Sequence, residues 1–157
     1  MKRLFDLTLL IVLLPFWGSV VLVCYILNVF FEGFPGFYSS IRHVGNEKNI
    51  TLIKFRVMKK NIDKKLNRST IKSDDTLFLN LPNNKNIYTN FGLILERFGI
   101  TELPQFFSVI KGDMSIVGPR PALFNQYELI KMRDKYNINL LKPGITGLAQ
   151  INGRDNV

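Results

Sequence analysis

A long uncharged stretch near the N-terminus constrains the fold of this chain more than any other feature. Between Asp6 and Glu32 the sequence LTLLIVLLPFWGSVVLVCYILNVFF supplies 25 consecutive uncharged and mostly apolar residues. A helix that crosses a bilayer needs about 20 such residues, so this stretch is long enough to enter a membrane. Lys2 and Arg3 leave a cleaved signal peptide as an alternative, but the apolar run is longer than a signal-peptide core and no small-residue cleavage site ends it.

Pro15 lies inside this stretch and predicts a break in the helix, because proline lacks a backbone N–H and clashes with the carbonyl group four residues earlier. Basic residues flank the stretch on both sides and tend to remain in the cytoplasm. After the stretch they are Arg42, Lys48, Lys54, Arg56, Lys59 and Lys60. Two topologies stay open: a kinked spanning helix, and a re-entrant helix that breaks at Pro15 and returns to the same face. Trp17 and the aromatic cluster at residues 30–38 fit either an interfacial belt or packing against a soluble domain.

The chain has the size of one domain and carries an excess of basic residues. Lys plus Arg total 21 against 12 Asp plus Glu, which gives a net charge of +9. Such a balance favours an anionic partner, namely nucleic acid, phospholipid headgroups or a phosphorylated substrate. The basic residues are scattered and form no recognised nucleic-acid module, so no nucleic-acid partner is expected. The polar residues 59–75 fit either a solvated helix and loop or a basic surface on anionic headgroups.

Beyond the apolar stretch the sequence predicts a small mixed α/β domain. Residues 50–58 are typical of a buried strand, and residues 88–98 place apolar side chains at a helical period. The segment TELPQFFSVIKG predicts a helix with Thr101 as its N-cap and Gly112 beyond its last turn. Another helix is predicted over residues 121–136, followed by a segment with strand and turn character.

One carboxylate and several cations are the candidates for chemistry, since no phosphate-loop, dinucleotide, CxxC or HExxH motif is present. Glu102, at a predicted helix N-terminus, is either a stabilising first-turn acid or a magnesium ligand. Arg120 lies between two prolines in GPRP and suits bidentate phosphate binding, or is an exposed turn residue. Lys54 and Arg56 alternate with apolar residues and are predicted to share a strand face that either binds phosphate or is solvated.

Six features occur in order over nearly the whole chain. They are KRLFD at 2–6, Pro15 in the apolar run, KFRVM at 54–58, TELPQFF at 101–107, KGDMSIVGPRP at 111–121 and KPGITGLAQINGRD at 142–155. Together they resemble the bacterial sugar transferase family, the monotopic phosphoglycosyl transferases. The resemblance implies a re-entrant membrane helix broken at Pro15 with its interfacial exit over residues 1–36, and a cytoplasmic α/β domain over residues 37–157. It also implies attachment to the bacterial inner membrane, with the soluble domain on the cytoplasmic face and anionic lipid as a partner.

The resemblance further implies a reaction. A sugar-1-phosphate moves from a UDP-sugar to polyprenyl phosphate, UMP is released, and assembly of a cell-surface polysaccharide such as an exopolysaccharide, capsule or lipopolysaccharide begins. It implies that Glu102 binds Mg²⁺ and that Lys54, Arg56 and Arg120 contact phosphates. Gln150 and Arg154, in the segment GLAQINGR, are expected to form part of the nucleotide pocket. The sugar and the presence of a homodimer stay open.

Three positions depart from the family pattern. Thr101 stands where the family usually has the aspartate nucleophile, Glu96 stands where an arginine is common, and the sequence ends at Val157, earlier than is usual. Two hypotheses follow. Either the chain is an active transferase, with Thr101 as the nucleophile or with direct attack by polyprenyl phosphate, or it is a catalytically impaired membrane-bound binding or scaffold homologue.

Overall fold

The computed structural model describes residues 1–44, 49–60, 87–123 and 126–152. The helices are α1 Lys2–Val12, α2 Leu14–Glu32, α3 Asn90–Arg97, α4 Phe106–Lys111, α5 Tyr127–Lys135 and α6 Leu148–Ile151. The strands are β1 Phe37–His43, β2 Asn49–Phe55, β3 Ser115–Val117, β4 Ala122–Leu123 and β5 Gly144–Thr146. Two 3₁₀ helices, Ile100–Gln105 and Ile138–Leu140, complete the described elements. Most of the predicted basic segment 59–75 lies outside the described residues.

The apolar stretch forms two helices, as Pro15 predicts. Helix α1 ends at Val12 and α2 begins at Leu14, so Pro15 lies in the first turn of α2, where a missing N–H is tolerated. The indole Nε1 of Trp17 donates a hydrogen bond of 2.9 Å to the carbonyl oxygen of Leu10. This bond satisfies an acceptor next to the interruption in the helical hydrogen-bond ladder.

One stripe of α1 and α2 packs against the rest of the chain. Its buried residues are Asp6, Leu10, Trp17, Val21 and Asn28. Helix α1 contacts α4 and β3, while α2 contacts α3 and the first 3₁₀ helix. Trp17 also packs edge-on against two aromatic rings of α4, so for this residue packing against the domain replaces the interfacial alternative.

The outward faces of the two helices remain apolar and exposed. The larger side chains there include Leu4, Phe5, Ile11, Val12, Phe16, Leu22, Val23, Ile26 and Phe30. Among the described helices, α2 is long and apolar enough to cross a membrane by length and composition, with a mean hydropathy of 2.0. One face of α1 and α2 therefore packs against the domain. The other face is apolar and contacts no protein in the described part of the chain.

Two small sheets form the framework of the domain. Strand β1 is central in an antiparallel sheet with the order β2-β1-β4, and β3 pairs with β5 in parallel. In the register of the first sheet Tyr38 lies opposite Lys54, and Arg42 lies opposite both Ile50 and Leu123. Because side chains alternate between faces, the even-numbered residues of β1 and β2 share one face of this sheet.

Residues of the apolar stretch complete the hydrophobic core. One cluster joins Leu10 to Ile50, Leu52, Val109 and Met114. A second cluster joins Trp17 and Val21 to Phe55 and Leu95. Burial of each such side chain contributes about 1.5–3 kcal/mol, so packing of the α1 and α2 stripe contributes to the stability of the domain.

The helix predicted from TELPQFFSVIKG begins earlier than expected and has two parts, a 3₁₀ helix followed by α4. Its N-cap is Gly99, which has a φ of 66° in the left-handed region that glycine adopts without steric cost. The prediction that Thr101 caps this helix is therefore wrong, because Thr101 lies inside the first turn and is buried. Gly112 ends α4 in a left-handed conformation, as predicted.

Candidate functional site

A cleft opens where the even-numbered face of β1 and β2 meets the first 3₁₀ helix and the GPRP turn. The lining residues are Arg42, Leu52, Lys54, Glu102, Gln105, Arg120, Pro121, Gly144 and Ile145. The cleft therefore joins four segments that are distant in sequence, and three of its nine lining residues are cationic.

The first 3₁₀ helix presents Glu102 to the cleft. Side chains three residues apart eclipse one another in a 3₁₀ helix, so Glu102 and Gln105 point in the same direction. Gln105 is only 3% exposed, which makes it a buried polar group at the base of the cleft. Sequence reasoning missed Gln105, although its spacing from Glu102 within TELPQFF is the signal that would have identified it.

Strand β2 brings Lys54 to the same carboxylate. Lys54 Nζ lies 3.5 Å from Glu102 Oε1, and both side chains are mostly buried. Burial lowers the pKa of Lys54 below its usual value, and the positive charges of Arg42 and Arg120 lower it further. The charge of Glu102 acts in the opposite direction and favours the protonated lysine.

Arg120 reaches the carboxylate from the GPRP turn, with its Nη1 atom 4.0 Å from Glu102 Oε1. Three hydrogen bonds hold the turn in place. The Gly118 N–H donates to the Thr146 carbonyl at 2.9 Å. The Gly144 N–H donates to the Pro119 carbonyl at 2.9 Å, and Arg133 Nη1 donates to the Arg120 carbonyl at 2.7 Å. The position of the Arg120 side chain thus depends on β5 and on α5 behind it.

The GPRP turn and the KPGITG segment approach so closely that glycine is required. A Cβ atom added to Gly144 would lie 2.0 Å from the backbone nitrogen of Gly118. Such a separation is far below van der Waals contact, so a larger residue would displace the backbone that carries Arg120. The close contact explains how two motifs that are separated in sequence form one wall of the cleft.

Arg42 is the third cation of the cleft and was not predicted. It lies on β1 opposite Ile50, on the face that also carries Leu52 and Lys54. Its charge acts on Lys54, as the lowered pKa of that lysine reflects. The sequence analysis named Arg42 only among the basic residues that flank the apolar stretch. Pairing between β1 and β2 places Arg42 in the cleft, and no local motif indicates this pairing.

Arg56 does not join Lys54 in the cleft, contrary to the predicted shared strand face. The strand ends at Phe55, and the Arg56 guanidinium donates hydrogen bonds to the carbonyl oxygens of Glu32 and Gly33 at the end of α2. A cation is favoured at a helix C-terminus, where carbonyl groups lack helical partners. Arg56 is only 7% exposed, and its contacts join α2 to the domain.

The remaining predicted site residues lie at other places. Thr101 is buried and is not among the residues that line the cleft. Gln150 lies on α6, where its Nε2 donates to the Ile145 carbonyl at 3.4 Å, so it is next to a cleft residue without lining the cleft itself. Its Oε1 atom is buried and has no hydrogen-bond partner among the described residues. Arg154 lies outside the described part of the chain.

The cleft offers one carboxylate to a magnesium ion. The other ligands of such an ion would be phosphate oxygens and water. Within residues 1–44, 49–60, 87–123 and 126–152, no group of three or more His, Cys, Asp or Glu residues gathers as a metal site. Glu102 is the one carboxylate among the cleft residues. Magnesium is commonly held by one or two carboxylates together with phosphate oxygens and water, so one carboxylate beside three cationic side chains is compatible with this donor set if a phosphorylated ligand binds there.

The geometry defines a class of protein. Three cations and one carboxylate give the lining residues a net charge of +2, in a cleft of a small α/β domain whose N-terminal helices expose an apolar face. These features define a protein with a cationic cleft, which suits an anionic ligand, and an apolar N-terminal segment. The chain belongs to the bacterial sugar transferase family, whose sequence model matches residues 1–157.

Relatives in this family carry names that describe sugar transfer. A sugar transferase of Bacillus subtilis, EpsL, is 37% identical over 155 residues, which is 99% of this chain and 70% of the relative. The undecaprenyl-phosphate galactose phosphotransferase of Salmonella typhimurium is 33% identical over 163 residues, 100% of this chain and 33% of the relative. The UDP-glucose:undecaprenyl-phosphate glucose-1-phosphate transferase of Klebsiella pneumoniae is 36% identical over 121 residues, 76% of this chain and 24% of the relative.

Proposed function

We propose that this chain transfers a sugar-1-phosphate from a UDP-sugar to polyprenyl phosphate and releases UMP, as a first step in building a cell-surface polysaccharide. The observation that carries this proposal is that Lys54 and Arg120 lie beside Glu102 in a cleft that Arg42 also lines. Both substrates are phosphorylated, and a cationic cleft suits both. The names of the relatives from Salmonella and Klebsiella support the choice of undecaprenyl phosphate as acceptor and a UDP-sugar as donor.

The burial of Thr101 outside the cleft lining favours direct attack by the acceptor. In this route an oxygen of polyprenyl phosphate forms a bond to the phosphorus that carries the sugar, while the bond from that phosphorus to the UMP oxygen breaks. The bonding electrons leave with UMP. Threonine is a neutral alcohol that needs a base before it can attack phosphorus, and the buried Thr101 is not among the residues that line the cleft.

The cations of the cleft hold the phosphates in line and offset the negative charge that spreads over the phosphoryl oxygens during transfer. Lys54 and Arg120, which both lie near Glu102 Oε1, are placed to contact oxygens of the transferred group. We propose that Glu102 is the protein ligand of Mg²⁺, with phosphate oxygens and water as the other ligands. When bound, such an ion offsets further phosphate charge.

The contacts of the apolar stretch support a re-entrant arrangement on one membrane face. Arg3, near the start of α1, donates to the carbonyl oxygens of Val109 and Ile110 in α4. Glu32, at the end of α2, accepts a hydrogen bond of 3.2 Å from the Phe91 N–H in α3. Both ends of the stretch therefore contact the same domain, which favours a return to one side, and we propose that this side is the cytoplasmic face of the inner membrane.

A second function is a membrane-bound binding or scaffold protein that retains the cleft without turnover. The observation that favours it is Thr101 itself, since this residue supplies no carboxylate beside Glu102. Such a protein would bind the phosphorylated substrates through the same cations and would not release UMP.

The test is UMP release by the full chain in detergent, with Mg²⁺, polyprenyl phosphate and a panel of UDP-sugars. We expect release with at least one sugar, and Thr101→Ala is expected to retain turnover within about threefold if attack is direct. A large loss in Thr101→Ala would instead assign the nucleophile to threonine. No release by the wild-type chain, combined with retained UDP binding, would support the scaffold function, and a gain of turnover in Thr101→Asp would then identify the missing group.

A further inference from the structure

We propose that Arg42 is a substrate-binding residue that holds the diphosphate of the donor nucleotide together with Lys54 and Arg120. This inference rests on the proposed function and adds a third phosphate contact on a different strand. It assigns the donor diphosphate a position along the cleft, from the Glu102 carboxylate toward β1.

The sheet register places Arg42 at the end of the cleft away from Lys54. Arg42 lies opposite Ile50, and Lys54 lies four residues farther along β2, which is about 13 Å along the strand. Both residues are on the same face, and Leu52 lies between them at the floor of the cleft. Their long side chains therefore approach one open volume from two ends.

The charge of the cleft fits a ligand with two phosphoryl groups. Lys54 and Arg120 lie 3.5 and 4.0 Å from the single carboxylate of Glu102, which offsets one of their two charges. Arg42 raises the net charge of the lining residues from +1 to +2. A diphosphate that is esterified at both ends carries about two negative charges, one on each phosphoryl group, and matches this balance.

The experiment measures binding of UDP and of inorganic pyrophosphate to the full chain in detergent by isothermal titration calorimetry. The variants are Arg42→Ala and Arg42→Lys, with Arg97→Ala as the matched control because Arg97 is an exposed arginine at the end of α3. We expect Arg42→Ala to weaken UDP binding about 10- to 100-fold, Arg42→Lys to lie between Arg42→Ala and wild type, and Arg97→Ala to match wild type.

The outcomes separate this inference from the proposed function. If the wild-type chain binds both probes and Arg42→Ala binds them equally well, the assignment of Arg42 is overturned. The wild-type chain could instead bind pyrophosphate but not UDP, with Arg42→Ala failing to bind pyrophosphate. This result would support the contact between Arg42 and a diphosphate and would contradict a UDP-sugar as the donor. If the wild-type chain binds neither probe, both proposals fail. Thermal unfolding of Arg42→Ala checks folding, because the substitution also removes the hydrogen bond of 3.4 Å that Arg42 Nε donates to Ser40 Oγ.

Discussion

The hydroxyl of Ser115 donates a hydrogen bond of 2.6 Å to the Oδ2 atom of Asp6, and both side chains are buried. The bond ties α1 to the first residue of β3, the strand that leads to the GPRP turn. A hydrogen bond to a charged group contributes about 1.5–3 kcal/mol, and its loss would leave a buried carboxylate without this donor. We expect Ser115→Ala to lower the free energy of unfolding by about 2 kcal/mol, measured by denaturant unfolding in detergent.

A double-mutant cycle separates this bond from general effects of substitution. Asp6→Ala together with Ser115→Ala should cost less than the sum of the two single changes, because neither partner is then left unsatisfied. Glu128→Ala serves as the control, since Glu128 is an exposed acid on α5. Additive effects of the two substitutions would show that the pair does not couple α1 to β3.

Glu102 has opposite expected effects on binding and turnover. In metal-free buffer its carboxylate opposes a bound anion, so Glu102→Gln should strengthen UDP binding by about threefold. With Mg²⁺ and both substrates, the same variant should lower UMP release about a hundredfold, because the proposed metal ligand is lost. Calorimetry and a UMP-release assay measure the two quantities, with Glu128→Gln as the control. Weaker UDP binding in metal-free buffer would contradict the electrostatic description of the cleft.

Features that depend on neighbouring residues were predictable from the sequence. Pro15 breaks the apolar helix as expected, because loss of a backbone N–H acts within one turn. Gly112 ends α4 for a similarly local reason, namely its tolerance of positive φ. Lys54, Glu102 and Arg120 were expected to be site residues from the family resemblance, and the structure brings these three residues together in one cleft.

Features that depend on distant contacts were missed. Arg42 reaches the cleft through strand register, and Arg56 is held away from it by the end of α2, which is more than 20 residues earlier in the chain. Neither relationship leaves a local pattern. The assignment of Thr101 as N-cap failed for a different reason, since Gly99 offered a left-handed conformation two residues earlier and the helix began there as a 3₁₀ helix.

Lys54 makes binding of anions sensitive to alkaline pH. Because burial and the neighbouring arginines lower its pKa below 10.5, Lys54 loses its proton at a lower pH than an exposed lysine does. Below its pKa in the folded protein the charge is fully present, and the contribution of Lys54 to UDP binding declines as pH rises through that pKa. In Lys54→Arg the cation persists, since an arginine side chain stays protonated over this range.

The measurement is UDP affinity in metal-free buffer from about pH 7 to about pH 10.5 for wild type and Lys54→Arg, since an ordinary lysine titrates near the upper limit. The ratio of the two affinities cancels the titration of the nucleotide itself. We expect the ratio to shift in favour of Lys54→Arg as pH rises, with the change beginning below the range of an ordinary lysine. A constant ratio would show that Lys54 does not titrate against the bound anion.

Arg133 is expected to position Arg120 without contacting substrate. Its Nη1 atom donates 2.7 Å to the Arg120 carbonyl, while Arg133 is not among the residues that line the cleft. We expect Arg133→Ala to weaken UDP binding about threefold to tenfold, because the turn that presents Arg120 loses the hydrogen bond to the Arg120 carbonyl.

Arg133→Lys and Arg133→Gln together test whether this effect arises from the lost hydrogen bond or from the lost charge. Lysine keeps both the charge and a donor, so binding should recover most of the way to wild type, whereas Arg133→Gln keeps donors without the charge. Recovery in both variants would assign the effect to the hydrogen bond, and recovery in Arg133→Lys alone would assign it to charge. Because burial and the charge of Arg120 both lower the pKa of Arg133, the two guanidinium groups repel each other. The hydrogen bond of 2.7 Å to the Arg120 carbonyl offsets that repulsion and holds Arg133 next to the turn.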